Sequence, residues 1–248
     1  MIVLTQKLRK GGLDMKHITL IIVAMFFCGG FLVSHATKAI AGGKTGVIVV
    51  DVQGDFTKLK NGSLACIGTD KAYVDQVEAA TRALSQKGYL IFATQDWHPA
   101  DHMSFASNHP GKKPFEAIKI DGRTQVLWPD HCVQGTENAR VLVDNNLFMA
   151  VVKKGKDTNY DSYSGFQDDG GAKTEMNSIL KRNGIQKVFV YGIATDYCVK
   201  ATAIDAVNAG YEVTVIEGLC RHVAPDTSAK ALQEMKDKGI TVEKELKL

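Results

Sequence analysis

The chain has 248 residues, 45% of them hydrophobic and 23% charged, with a formal net charge of +3. That composition gives room for one ordinary globular domain with a full core and excludes a collagen-like, coiled-coil or disordered chain. The positive charge belongs to the first 41 residues: without them five cations (Lys7, Arg9, Lys10, Lys16, Lys38) and one anion (Asp14) are gone and the remainder carries −1, which removes any electrostatic argument for nucleic acid or an anionic membrane as partner.

In chain order, the first predicted element is a leader. Met15 to Ala41 opens on Lys16, runs apolar from Ile18 to Val33, and ends in the small-x-small triplet Ala39-Ile40-Ala41. This is the anatomy of a secretory signal peptide, with cleavage expected after Ala41. The apolar run is 16 residues, short of the roughly 20 a membrane span needs. The expectation is therefore an exported, periplasmic or secreted protein with no stable membrane insertion and one domain over 42–248. Met15 serves as a start as well as Met1. The residues before Cys28 are Met25-Phe26-Phe27, which speaks against a lipoprotein. Four cysteines follow the leader (Cys66, Cys132, Cys198, Cys220), too few for a disulfide-framed scaffold and without a CxxC pair, so at most one accessory bridge is expected.

Beyond the leader, short apolar runs rich in β-branched residues predict strands at Thr45–Gln53, Tyr89–Asp96, Phe148–Gly155, Lys187–Ala194 and Tyr211–Gly218. Helical spacing predicts helices over Lys71–Lys87, Thr174–Asn183, Asp196–Asn208 and Ser228–Lys238, each near a glycine (Gly88, Gly184, Gly210, Gly239) suited to a C-terminal cap. Strand and helix alternate, so the fold class is α/β, a doubly wound, mostly parallel sheet with helices on both faces. The final TVEKELKL can add an edge strand. The exception to this alternation is Trp97–Asn146, a long segment with little periodicity, which in a compact domain is usually functional.

In such a sheet ligands gather at the carboxyl ends of the strands, so the polar residues there are the candidates. They are Asp51, Asp96, Lys153 and Lys154, and the segment Thr195–Cys198. If Thr195 caps a helix starting at Asp196, Cys198 lies in the first turn, where free backbone N–H groups and the helix dipole favour a thiolate nucleophile. The alternative is an inert buried cysteine. Asp51 is a natural proton acceptor or else a strand-end turn residue, and Lys154 either pairs with it or is a solvated surface lysine. In QDWHPADH, Asp96 and His98 point to one side of an extended chain. His131 in WPDHCVQGT could complete a three-ligand metal site, with His102 a competing ligand and Cys132 a weaker one.

Five motifs, in order across nearly the whole mature chain, are shared with a known group: DVQGDF, QDWHPADH, WPDHCVQGT, KKG followed by YSGF, and GIATDYCV. Together they resemble the nicotinamidase/pyrazinamidase branch of the isochorismatase-like cysteine hydrolases. The resemblance implies the isochorismatase-like α/β hydrolase fold and a triad of Asp51, Lys154 and Cys198, with the Ala194 and Cys198 N–H groups as oxyanion hole and a non-proline cis bond at Ile193-Ala194. It implies one divalent metal ion, zinc first with iron and manganese as alternatives, held by Asp96, His98 and His131 with His102 secondary, and pocket walls Phe56, Trp128 and Tyr163. The implied substrate is the small molecule nicotinamide, hydrolysed through a thioester, with pyrazinamide a second; a homo-oligomer is left open. Export would then suit harvesting of nicotinamide outside the cytoplasm. Two departures stand out. Gly54 replaces a frequent asparagine and is expected to loosen the loop carrying Phe56, and an apparent two-residue insertion before YSGF makes the position of Tyr163 less defined. The alternatives are a relative acting on another small amide or carbamoyl compound and a catalytically silent binding protein for pyridine compounds. A thiol-redox protein is disfavoured by the missing CxxC.

Overall fold

The computed structural model describes residues 43–247. The expected leader over 1–41 lies outside the described residues. Among these residues no helix is long and apolar enough to cross a membrane.

Six strands form the central sheet: β1 (Lys44–Val50), β2 (Leu90–Asp96), β5 (Ala150–Lys154), β6 (Ile185–Gly192), β7 (Glu212–Ile216) and β8 (Thr241–Glu243). A hairpin of β3 (Ala117–Ile120) and β4 (Arg123–Val126) stands apart from it. The sheet order is β5-β2-β1-β6-β7-β8, and every pairing in it is parallel. Val47, Ile48, Val49 and Val50 are fully buried, because a central parallel strand is covered on both faces and so reads as an unbroken apolar run. β8, at the edge beyond β7, is the strand expected from TVEKELKL.

Four helices connect the strands: α1 (Lys71–Gln86), α2 (Met176–Arg182), α3 (Lys200–Asn208) and α4 (Pro225–Asp237). Right-handed crossovers carry α1 to one face of the sheet and α3 and α4 to the other, since β1 leads leftward to β2 whereas β6 and β7 lead rightward. Asp70 caps α1 by accepting the Tyr73 N–H at 3.1 Å. The glycines that follow the four helices all have positive φ, as their cap role requires.

Three helix starts differ from expectation, α2 by beginning two residues late, at Met176 rather than Thr174. α4 begins three residues early, at Pro225, because proline fits the first helical position, where no N–H is needed. The helix expected from Asp196 begins only at Lys200, and Thr195–Val199 form a π turn closed by Val199 N–H to the Ala194 carbonyl at 3.0 Å. Trp97–Asn146 is the predicted irregular segment; it holds the β3–β4 hairpin and three single 3-10 turns at Ala106–Asn108, Glu137–Ala139 and Asn145–Leu147. Because β1 lies where the sheet's winding reverses, a crevice opens at the carboxyl ends of β1, β2, β5 and β6.

Candidate active site

The parallel register of β2 against β5 sets Asp96 opposite Lys154 and Gln95 opposite Lys153. Side chains alternate along β5, so the two lysines have opposite fates. Lys154 is buried, while Lys153 is exposed and lies over the Trp97 ring at 3.7 Å. The Lys154 Nζ reaches the Asp51 Oδ2 at 3.0 Å, the Ser162 carbonyl at 2.6 Å, the Cys198 Sγ at 3.5 Å and the Asp96 Oδ1. Burial alone would lower the pKa of this ammonium, but Asp51 and Asp96 outweigh it and hold it well above the ordinary lysine value. Lys154 is a fixed cation.

Asp51 follows the end of β1 in left-handed backbone, with φ of 46°. Thr94 of β2 supports it twice, accepting the Asp51 N–H at 3.2 Å and donating to Oδ1 at 2.6 Å. Oδ2 stands 3.0 Å from the Lys154 Nζ as an ion pair and takes no other donor. Burial, partly offset by Lys154, raises Asp51 to about 6. Cys198 lies in the π turn at the end of β6, with Sγ within 4.8 Å of carboxylate oxygens of both Asp51 and Asp96. Burial is also the main cause that pushes this thiol well above its ordinary pKa, against the pull of Lys154. The resting thiolate expected from a helix start is therefore corrected. Cys198 rests as a thiol beside Asp51, whose Oδ1 takes the Thr94 hydroxyl and whose Oδ2 takes no hydrogen bond. Thr195 is no cap either; its N–H donates to the Arg221 carbonyl at 2.8 Å, and the turn shows no side-chain cap bond.

The Ile193-Ala194 bond is cis. Gly192 precedes it with φ of 135°, and a Cβ there would stand 2.1 Å from the Val50 carbonyl, so only glycine lets β6 end against β1 in this way. No carbonyl among the described residues takes the Ala194 N–H. Asp196 ties the turn to α4 by accepting the Val223 and Ala224 N–H groups at 3.0 and 3.1 Å.

Asp96 divides its two oxygens between two tasks. Oδ1 takes Lys154, and Oδ2 faces His98 Nε2 at 3.5 Å and His131 Nε2 at 3.9 Å. Burial alone would raise this carboxyl, but Lys154 and His98 pull it well below the usual range. His98 Nδ1 bonds the Gly155 carbonyl at 2.9 Å and His131 Nδ1 the Pro129 carbonyl at 2.8 Å. Each carbonyl fixes the proton on Nδ1 and leaves the Nε2 lone pair aimed inward. Burial and the neighbouring His98 lower His131 to about 4, which keeps its imidazole neutral. The ligand atoms of Asp96, His98 and His131 lie within 4.8 Å of one another, and this N₂O donor set suits zinc, iron or manganese. Asp51, Asp96 and Cys198 also approach one another, but the Lys154 ammonium already stands among them.

His102, the secondary ligand of the resemblance, lies outside the group of converging ligand atoms. Both its ring nitrogens are engaged elsewhere, Nδ1 with Ser104 Oγ at 2.7 Å and Nε2 with the Tyr160 carbonyl at 3.1 Å, and its ring packs on His98 with centroids 4.4 Å apart. Cys132 is likewise outside the ligand group, and among the described residues Cys66, Cys132, Cys198 and Cys220 are all buried and free, with no bridge between them. Gly155 has φ of 64°, and a Cβ on it would lie 2.3 Å from the His98 ring. Gly155→Ala is therefore expected to displace His98, to cost about 1–2 kcal/mol in backbone strain alone, and to lower metal content. Thermal unfolding and elemental analysis of the purified variant check this.

A cavity beside Cys198 is walled by Phe56, Trp128, Tyr163 and Tyr197, with Asp96, His131 and Asp161 on its polar side. The Trp128 Nε1–H donates to the Tyr163 hydroxyl at 3.1 Å, so the insertion before YSGF does not displace Tyr163. Gly54 does not loosen its loop. It is buried under Asn138, whose backbone would lie 2.8 Å from a Cβ there, and Asn138 Nδ2 donates to Asp55 Oδ1 at 3.2 Å. Asp55 Oδ2 in turn accepts the Cys132 N–H at 2.7 Å and so fixes the loop that carries His131. Asp55, Thr94, Asp161 and Tyr197 escaped the sequence reading. Asp55 lies inside DVQGDF and Tyr197 inside GIATDYCV, but Thr94 and Asp161 carry no local signal of their own.

Comparison with known proteins agrees with this geometry. The isochorismatase domain family matches residues 45–244. The nicotinamidase of Acinetobacter baylyi is 43% identical over 198 residues, 78% of this chain and 89% of that protein. The solved nicotinamidase/pyrazinamidase of Acinetobacter baumanii is 39% identical with a TM-score of 0.73, covering 81% of this chain and 95% of that one. The zinc complex of Pyrococcus horikoshii pyrazinamidase is 35% identical with a TM-score of 0.67, covering 80% and 98%. With the family matched over almost the whole described region, the chain belongs to the isochorismatase family, in its nicotinamidase/pyrazinamidase branch.

Proposed function

We propose that the protein is a metal-dependent cysteine amidohydrolase that converts nicotinamide to nicotinate and ammonia, and pyrazinamide in the same way. The observation that carries this reading is Asp96, whose two oxygens join a Lys154–Asp51–Cys198 cluster to an Asp/His/His donor set at one aromatic-walled cavity. In the triad, Asp51 Oδ2 takes the Cys198 proton as Sγ attacks the amide carbon, and Lys154 holds Asp51 ionised and faces the sulfur. The Ala194 and Cys198 N–H groups receive the developing oxyanion. Asp51 then returns its proton to the leaving amine, a thioester remains on Cys198, and water cleaves it with Asp51 again as base. Phe56, Trp128 and Tyr163 enclose a flat ring. A divalent metal on Asp96, His98 and His131, for which zinc is the first choice, supplies an electrophilic site for a ring nitrogen.

Ammonia release from nicotinamide by the purified protein is the direct test, and a metal-loaded, folded protein without it would sink the reading. Its pH dependence gives a second measurement. Asp51 works only as the carboxylate, and burial raises its pKa from 3.8 to about 6. Protonation as pH falls removes the base, so kcat/KM should drop about tenfold per unit below pH 6. With metal content checked at each pH, an acid limb near 4 would assign the base elsewhere.

A further inference from the structure

Asp161 has no part in the triad or in the ligand set, yet it is 4% exposed and lines the same cavity as Asp96 and His131. Its hydrogen bonds come from neutral donors, the Ser162 N–H to Oδ1 at 2.8 Å and Gln125 Nε2 to Oδ2 at 2.9 Å. The nearby ammonium, Lys154, is already spent on Asp51, Asp96 and the Ser162 carbonyl. Three buried carboxylates, Asp51, Asp96 and Asp161, thus face one fixed cation. Two negative charges are left over in a site where unpaired buried charge is costly. With Nδ1–H held by a backbone carbonyl and Nε2 given to an ion, His98 and His131 are neutral imidazoles and add no charge of their own. A divalent ion balances the two negative charges.

We propose that Asp161 is a positioning residue of the metal site, whose carboxylate supplies from across the cavity the charge that makes the pocket neutral only when a divalent cation is bound. This rests on the metal reading of Asp96, His98 and His131. Asp161 lies outside the group whose ligand atoms converge, so its action is through the field and through what the ion carries on its open side, not through a bond to the ion. Gln125 belongs to β4, and its bond to Asp161 Oδ2 links the β3–β4 hairpin to the cavity wall, while the Ser162 N–H on Oδ1 holds the carboxylate in place independently of it.

The test compares wild type, Asp161→Asn, Asp161→Glu and Gln125→Leu in two measurements, zinc affinity by competition with a chromophoric chelator and thermal midpoints with and without zinc. Outer groups of this kind typically change metal affinity 10- to 100-fold. Asp161→Asn should weaken zinc by about that factor and shrink the rise in midpoint that zinc produces, and Asp161→Glu should recover most of both. Gln125→Leu keeps the charge and should hold zinc within a few-fold of wild type. A purely structural role would lower both midpoints together and leave the zinc-induced rise intact; that result, or unchanged affinity in Asp161→Asn, would overturn the proposal. So would a Gln125→Leu protein that loses zinc by 10-fold or more, even if Asp161→Asn does not fold. Wild type that takes up no zinc would overturn the metal reading and this proposal together, whereas zinc bound equally by wild type and Asp161→Asn would overturn the proposal alone.

Discussion

Cys198→Ser folds like wild type and loses turnover of nicotinamide by on the order of 10⁴- to 10⁶-fold, the range seen when one member of a catalytic unit is removed. The substitution changes one buried atom, so packing in the π turn is preserved. The proton chemistry is not. The Cys198 thiol already sits well above its ordinary pKa because of burial, and only the orphaned Oδ2 of Asp51 and the 3.5 Å contact with Lys154 make its deprotonation accessible during attack. A serine hydroxyl begins many units higher and gains nothing further from the same neighbours. Steady-state ammonia release, with far-UV circular dichroism as the folding control, measures the effect. Wild type incubated with nicotinamide and quenched in acid should show a thioester adduct on the peptide containing Cys198, and the serine variant should not. A serine enzyme within 10-fold of wild type would remove Cys198 from the reaction.

The elements that position this chemistry were legible because their signals are local. VIVV followed by Asp51, or VFVYGIA leading into Thr195–Cys198, marks a buried parallel strand and its polar exit within about eleven residues. Asp96 and His98 share a side because an extended chain has a period of two. The two lysines ending β5 were ambiguous, since strand alternation says that one is buried and the other exposed without saying which; the register with β2 decides it for Lys154. Nonlocal partners were silent. Thr94 supports Asp51 across 43 residues of sequence, and Gln125 reaches Asp161 from a hairpin 36 residues away. The charge state of Cys198 is nonlocal for a related reason. Position at a chain turn argues for a thiolate, but the burial that opposes it arises only when four strands and an irregular 50-residue segment close over the sulfur.

Metal removal is expected to abolish the preference for a pyridine amide over its carbocyclic analogue. Nicotinamide differs from benzamide in one ring nitrogen, and the aromatic walls Phe56, Trp128 and Tyr163 hold either ring by the same apolar contacts. Only the side of the cavity bearing Asp96 and His131 can tell them apart. The lone pairs of His98 and His131 are pinned toward Asp96 by two backbone carbonyls, an arrangement that would hold an ion at the cavity wall. Loss of ring orientation at Cys198 costs on the order of 100-fold in rate. Chelated protein, and the His98→Ala variant, should therefore hydrolyse nicotinamide about 100-fold more slowly than the loaded wild type, while the slow turnover of benzamide changes little. Asp96→Asn should be worse than His98→Ala, because it also withdraws the carboxylate bound to Lys154 and disturbs the triad. Hydrolysis of both amides by loaded, chelated and zinc-restored protein separates the two roles. If the ratio between the amides survives chelation, the Asp96/His98/His131 cluster holds the fold together and takes no part in choosing the substrate.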